Sequence, residues 1–155
     1  MSTVRMFLEV ISVVGIIHTW RLALQSWAGL PDRIPIHFGF SGKPDGWGKK
    51  GFIWLFPAMA VLVYAAMSIT SFLPATFNYP VPINAANAAR QLSIALTAMA
   101  TMKAEIVWLS AYGVWKTIRT VRGEADGLGA AFVPAFIFIM FATLAPFVYL
   151  AYQAK

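Results

Sequence analysis

Phe52–Leu73 reads FIWLFPAMAVLVYAAMSITSFL, and it lies inside a longer stretch, Gly51 to Ala89, in which no charged residue occurs. A helix needs about 20 mostly apolar residues to cross roughly 30 Å of hydrocarbon, so this run predicts a membrane span. A buried helix of a soluble protein is usually shorter. The same reading applies at the other end of the chain: Gly127 to Ala154 carries no charge, with Ala131–Tyr152 as its apolar body. Composition agrees. Of 155 residues, 59% are hydrophobic and 12% charged, with mean hydropathy +0.69, whereas about a quarter of the residues of a soluble domain are charged.

Val4–Trp27 and Gln91–Trp115 have the length and hydrophobicity of spans but carry Glu9, His18 and Arg21 in the first and Lys103 and Glu105 in the second. They read as spans with polar interiors. A cleaved signal peptide is the disfavoured alternative for the first, because Arg5 alone makes its basic region and Trp20 and Arg21 interrupt its end. The expected fold is therefore all-α: an integral membrane four-helix bundle, one membrane domain over 1–155. Its spans fall at about 4–27, 52–73, 91–115 and 131–152, with one structured interfacial loop at 29–50. Tryptophans 20, 27, 47, 54 and 115 fall near the proposed span ends, where an amphipathic ring prefers the headgroup level; Trp108 is the exception. Pro57, Pro134 and Pro146 fall within spans, where kinks are tolerated.

The net charge of +6 does not point to nucleic acid, since the basic residues occur singly or in pairs near span ends. With no cysteine, the chain can form neither disulfides nor thiolate metal sites. No cofactor is expected. Expected partners are the lipid bilayer, a second copy of the chain or another membrane protein. Lys and Arg set orientation. The first and third connections share a face and hold Arg33, Lys43, Lys49, Lys50, Lys116, Arg119 and Arg122; the other face holds Arg5, Arg90 and Lys155. That count turns both termini away from the cytoplasm.

An ionisable group inside a bilayer costs about 3 kcal/mol on insertion scales and normally faces a partner or a watery cavity. His18, Arg21 and Gln25 share one face of the first span. Glu105 lies near the middle of the third span at about the depth of His18, so Glu105 is expected to pair with His18 or Arg21. Lys103 points elsewhere and needs another acceptor or snorkels; Glu9 is expected to reach the interface. This cluster reads either as a buried ion pair that orients helices or as a polar cavity for a proton, ion or small ligand. Lys103→Met and Glu105→Gln separate the two: loss of the assembled protein favours the pair, and lost activity with folding retained favours the cavity. In the first connection, Asp32, His37 and Asp45 can supply metal ligands or acid and base groups. Equally, the aspartates can form side-chain turns beside their prolines and glycines.

That connection, Leu30 to Lys49, reads LPDRIPIHFGFSGKPDGWGK. Its Leu-Pro, Ile-Pro, His-Phe and Gly-x-Pro-Asp-Gly-Trp-Gly-x-Lys elements, Trp47 among them, resemble the hallmark loop of the domain of unknown function 1648 family. The resemblance covers the loop and its flanking spans. It implies a membrane protein related to bacterial immunity proteins, which protect a cell against its own secreted killing factor and in one type also sequester a repressor. Those proteins are longer, with additional spans, so a repressor-binding part is expected to be missing from a chain of four spans. The resemblance also implies an extracytoplasmic first loop, against the charge count. The first functional expectation is thus a non-enzymatic membrane protein of the immunity or sensing type. The second is a ligand- or ion-binding transporter-like protein, or an accessory subunit of a membrane complex. With no nucleophile–base pair and no phosphate-cradling loop, an enzyme is the least favoured class.

Overall fold

A computed structural model describes residues 2–74 and 77–155. Four helices dominate it: α1 (Thr3–Ser26), α2 (Leu55–Thr70), α3 (Ala88–Val121) and α4 (Phe132–Gln153). Short 3-10 turns at Trp27–Gly29 and Lys50–Trp54 extend the first helix and lead into the second. Counting α2 together with the 3-10 turn that leads into it (Lys50–Thr70), all four are long and apolar enough to cross a membrane. Positions 75 and 76 of the second connection lie outside the described residues.

Three expectations need correction. The fold is not purely α-helical: the loop at 29–50 holds an antiparallel hairpin of β1 (Arg33–Phe38) and β2 (Pro44–Lys49). The third span, expected at about 91–115, runs further, because α3 begins at Ala88 and continues through Lys116 and Arg119 to Val121. At 34 residues it is about 51 Å long, more than the roughly 30 Å of hydrocarbon. The prolines are also less disruptive than their positions suggested. Pro57 and Pro134 each stand in the first turn of a helix, where the missing N–H has no intrahelical acceptor to lose. Pro146 alone of the three is interior.

The helices pack around α3 rather than as four equivalent walls. α3 contacts α1, α2 and α4, and α1 also touches α2. The α1–α3 seam is the closest. On α1, Ser12, Gly15, Thr19, Ala23 and Ser26 are buried at helical spacing, and α3 meets them with Ala100, Ala104, Val107, Ala111 and Val114. Small residues let two backbones approach where apolar burial alone gives no drive for association. A Cβ on Gly15 would lie 2.7 Å from Val107 Cγ1. Two of the buried hydroxyls are satisfied within α1, since Ser12 and Thr19 donate to the carbonyls of Leu8 and Gly15 one turn back.

A second core sits at the hairpin end, where Ala23 and Leu30 meet Ile34 of β1, Ile53, Val114 and Ile118. Ile34 is 1% exposed, so the hairpin is bolted into the helices by its own strand. Trp54 lies between Trp20 and Trp27, at ring distances of 5.7 and 5.2 Å, and Lys50 sits 5.0 Å over Trp27. α4 is the opposite case. It packs on α3, yet Ala151, near its end, is its one buried residue. Phe138, Phe141 and Tyr149 face outward.

Candidate functional site

α1 and α3 run parallel, and their polar groups meet in a different register from the one the sequence suggested. Lys103 Nζ lies 2.6 Å from Glu9 Oε1 and donates to Ser68 Oγ at 3.0 Å. Tyr64 donates its hydroxyl to Glu9 Oε2 at 2.9 Å, and its ring lies 4.5 Å from the Lys103 ammonium. Three helices therefore contribute to one cluster: Glu9 from α1, Tyr64 and Ser68 from α2, Lys103 from α3. The Lys103 side chain is 3% exposed and that of Glu9 28%. Glu9 turns to the cation buried beside it. Both carboxylate oxygens accept a donor, so the pair is internally neutral and satisfied.

Glu105 is placed elsewhere. It does not pair with His18 or Arg21; Thr143 of α4 donates to its Oε1 at 2.5 Å, and its Oε2 is buried with no hydrogen-bond partner among the described residues. It lines a groove of about 680 Å³ between α3 and α4, together with Trp108, Tyr112, Lys116 and Phe136. His18 instead packs on the Trp108 ring at 5.7 Å, and the Trp108 indole donates to Ile11 O at 3.3 Å. This acceptor satisfies the indole N–H in the middle of α3. Arg21 is exposed on α1, in a surface groove with Trp20 and Gln25. The sequence alone missed Tyr64, Ser68 and Thr143. Their only prior signal was being hydroxyl groups inside apolar stretches.

The hairpin explains its own sequence. Asp45 and His37 face each other across the strands, Oδ1 to Nδ1 at 2.5 Å. Gly46 stands opposite His37, where a Cβ would approach the His37 Cβ to 2.9 Å, and a Cβ on Gly48 would meet Ile36 Cδ1 at 2.7 Å. The Pro-Asp-Gly-Trp-Gly run thus alternates a pairing side chain with gaps that admit the side chains of β1. Arg33 donates to Trp47 O at 3.1 Å, and Lys50 N to Asp32 O at 2.9 Å. Asp32 does not join His37 and Asp45. Among the described residues, no group of three His, Cys, Asp or Glu side chains is gathered to hold a metal. The His37 and Asp45 side chains are 71% and 53% exposed, so Asp45→Asn is expected to change stability by less than about 1 kcal/mol in a denaturant titration.

The hairpin tip is fixed from above. Gly42, at φ +76°, accepts a hydrogen bond from Leu128 N at 2.8 Å. The Leu128 carbonyl in turn accepts from the Tyr112 hydroxyl of α3 at 2.8 Å. Outside these anchors, Ile36, Phe40 and Trp47 are exposed, Phe40 at 79%.

Comparison with known proteins bears on one part of this architecture. Residues 14–61 match the family described as Domain of unknown function (DUF1648), a stretch that runs from the middle of α1 through the hairpin into α2. An uncharacterized protein of Archaeoglobus fulgidus is 30% identical over 76 residues, covering 48% of this chain and 42% of that protein. The match thus spans about two-fifths of the relative's length. No solved structure matches.

Proposed function

We infer, from the premise that residues 14–61 belong to this family of unknown function, that the protein is a multi-pass protein of the cell membrane. In this reading it acts by binding, as a non-enzymatic protein of the immunity or sensing type, with the hairpin as its recognition element. One observation carries the reading: a hairpin anchored at its base and at its tip presents Phe40 almost uncovered, with Trp47 and Ile36 partly exposed beside it. Exposed apolar side chains on a fixed frame mark a binding surface, and rigid aromatic anchors supply most of the energy at such surfaces. The partner is a membrane-active peptide or another membrane protein reaching the same face.

Cells producing the chain are expected to survive a membrane-active peptide at higher concentration than cells without it. The double variant Phe40→Ala/Trp47→Ala is expected to lose that protection by tenfold or more, on the order of what two aromatic anchors contribute. The amount of protein in the membrane fraction is expected to stay the same. Unchanged sensitivity across a panel of such peptides counts against the reading. Since the sequence has no cysteine, Ser41→Cys gives a single reporter of the hairpin's side. Labelling by an impermeant maleimide on intact cells is the expected result, and protection from it would favour the charge-based orientation.

A second reading, a ligand-binding membrane protein, is favoured by the groove at Glu105. Its two sides come from α3 and α4, and its one carboxylate is only half satisfied.

A further inference from the structure

Glu9 and Glu105 are the two acidic residues of the apolar helices, and they are treated differently. Glu9 has a donor on each oxygen, one of them a lysine. Glu105 has the neutral Thr143 hydroxyl on one oxygen and, among the described residues, no partner on the other. Lys103 is committed to Glu9, and Lys116 lies against the rings of Tyr112 and Trp115, three helical turns away from Glu105 along α3. Among the described residues, no cation therefore sits on the Glu105 carboxylate, and the one lysine of the groove lining, Lys116, is held at its far end.

We propose that the groove between α3 and α4 binds a lipophilic organic monocation, its positive centre on the Glu105 carboxylate and its apolar body along Leu109, Phe136 and Ile139. The inference rests on the second reading above and names its ligand class. Three features select this occupant. The volume of about 680 Å³ lies within the range of small-molecule sites. Trp108 lines the same groove one helical turn from Glu105, and an aromatic ring attracts a diffuse cation. A bare metal ion is disfavoured, since hard cations need about six oxygen ligands and the groove offers the Glu105 carboxylate among mostly apolar side chains. An organic cation instead keeps its charge spread over carbon-rich groups and matches the walls as well as the carboxylate.

The test uses the full chain in lipid nanodiscs, titrated with tetraphenylphosphonium and followed by equilibrium dialysis. One saturable site is expected. Glu105→Gln is expected to weaken it at least about tenfold, the loss of one charge–charge contact. Ala135→Phe, which fills the groove wall and leaves the carboxylate in place, is expected to abolish it. The neutral triphenylphosphine oxide is expected to bind at least about tenfold more weakly than the cation. Absence of saturable binding, or equal affinity in Glu105→Gln, overturns the proposal. Should Glu105→Gln fail to assemble, Ala135→Phe and the neutral analogue decide: binding unaffected by either also overturns it. Because the hairpin reading is scored by cell survival and this one by binding to purified protein, either can fail while the other stands.

Discussion

Lys103→Met is expected to destabilise the protein by about 3–5 kcal/mol, the cost of leaving a buried charge without its partner. Glu9 would keep the Tyr64 hydroxyl on Oε2 but lose the ammonium 2.6 Å from Oε1. Ser68 would lose its donor as well. The expected observations are a large drop in thermal unfolding temperature in detergent and reduced accumulation in the membrane. The double variant Glu9→Gln/Lys103→Met is expected to recover most of the loss. The amide oxygen still accepts from Tyr64, and no charge is left stranded. A double-mutant cycle that showed no coupling between positions 9 and 103 would remove the ion pair as the organiser of the α1–α3 seam.

Gly42→Val is expected to release the hairpin tip, with a cost of about 2–5 kcal/mol. Two effects combine at that position. At φ +76° a β-branched side chain pays the left-handed penalty of about 1–2 kcal/mol. A Cβ there would also stand 2.2 Å from Gly129 O and 2.5 Å from Gly129 C, and overpacking against backbone costs about 1–3 kcal/mol more. Gly127 is the reciprocal case, since its Cβ would meet Gly42 O at 2.1 Å. Amide exchange reads the outcome: the Leu128 N–H, bonded to Gly42 O in the native protein, is expected to lose protection. Protection within β1 and β2 persists because Ile34 still anchors the strand. Native-like protection at Leu128 in the valine variant would mean that the contact does not hold the tip.

The helices were legible because charge-free length is a direct physical requirement for crossing hydrocarbon, as Phe52–Leu73 and Ala131–Tyr152 illustrate. Their register was not. Centring two spans by hydropathy sets His18 against Glu105, whereas the structure sets Glu9 against Lys103, a slide of about two helical turns. The slide follows from the length of α3 and from the small residues of α1, which fix where the backbones come closest. Gly15 against Val107 is a packing constraint that no ionisable residue announces. The hairpin was legible as a structured loop from its prolines and glycines, but not as strands. Pro-Asp-Gly-Trp-Gly has poor strand propensity. It pairs because Ile34 is buried on one side and because Gly46 and Gly48 leave room for β1 side chains. Thr143 as the partner of Glu105 could not be read at all, since it depends on how α4 leans on α3.

The bond between Leu128 N and Gly42 O also sets an order of assembly. A chain made from its N-terminus presents the hairpin early, when Ile34 can already settle against α1 and the turn before α2. The acceptor at Gly42 stays open until α3 has been made and the chain has turned back after it. Docking of the hairpin tip is therefore a late event in biosynthesis, and it is completed only when the fourth helix begins. A nascent chain arrested before residue 127 would display the hairpin anchored at its base and free at its tip.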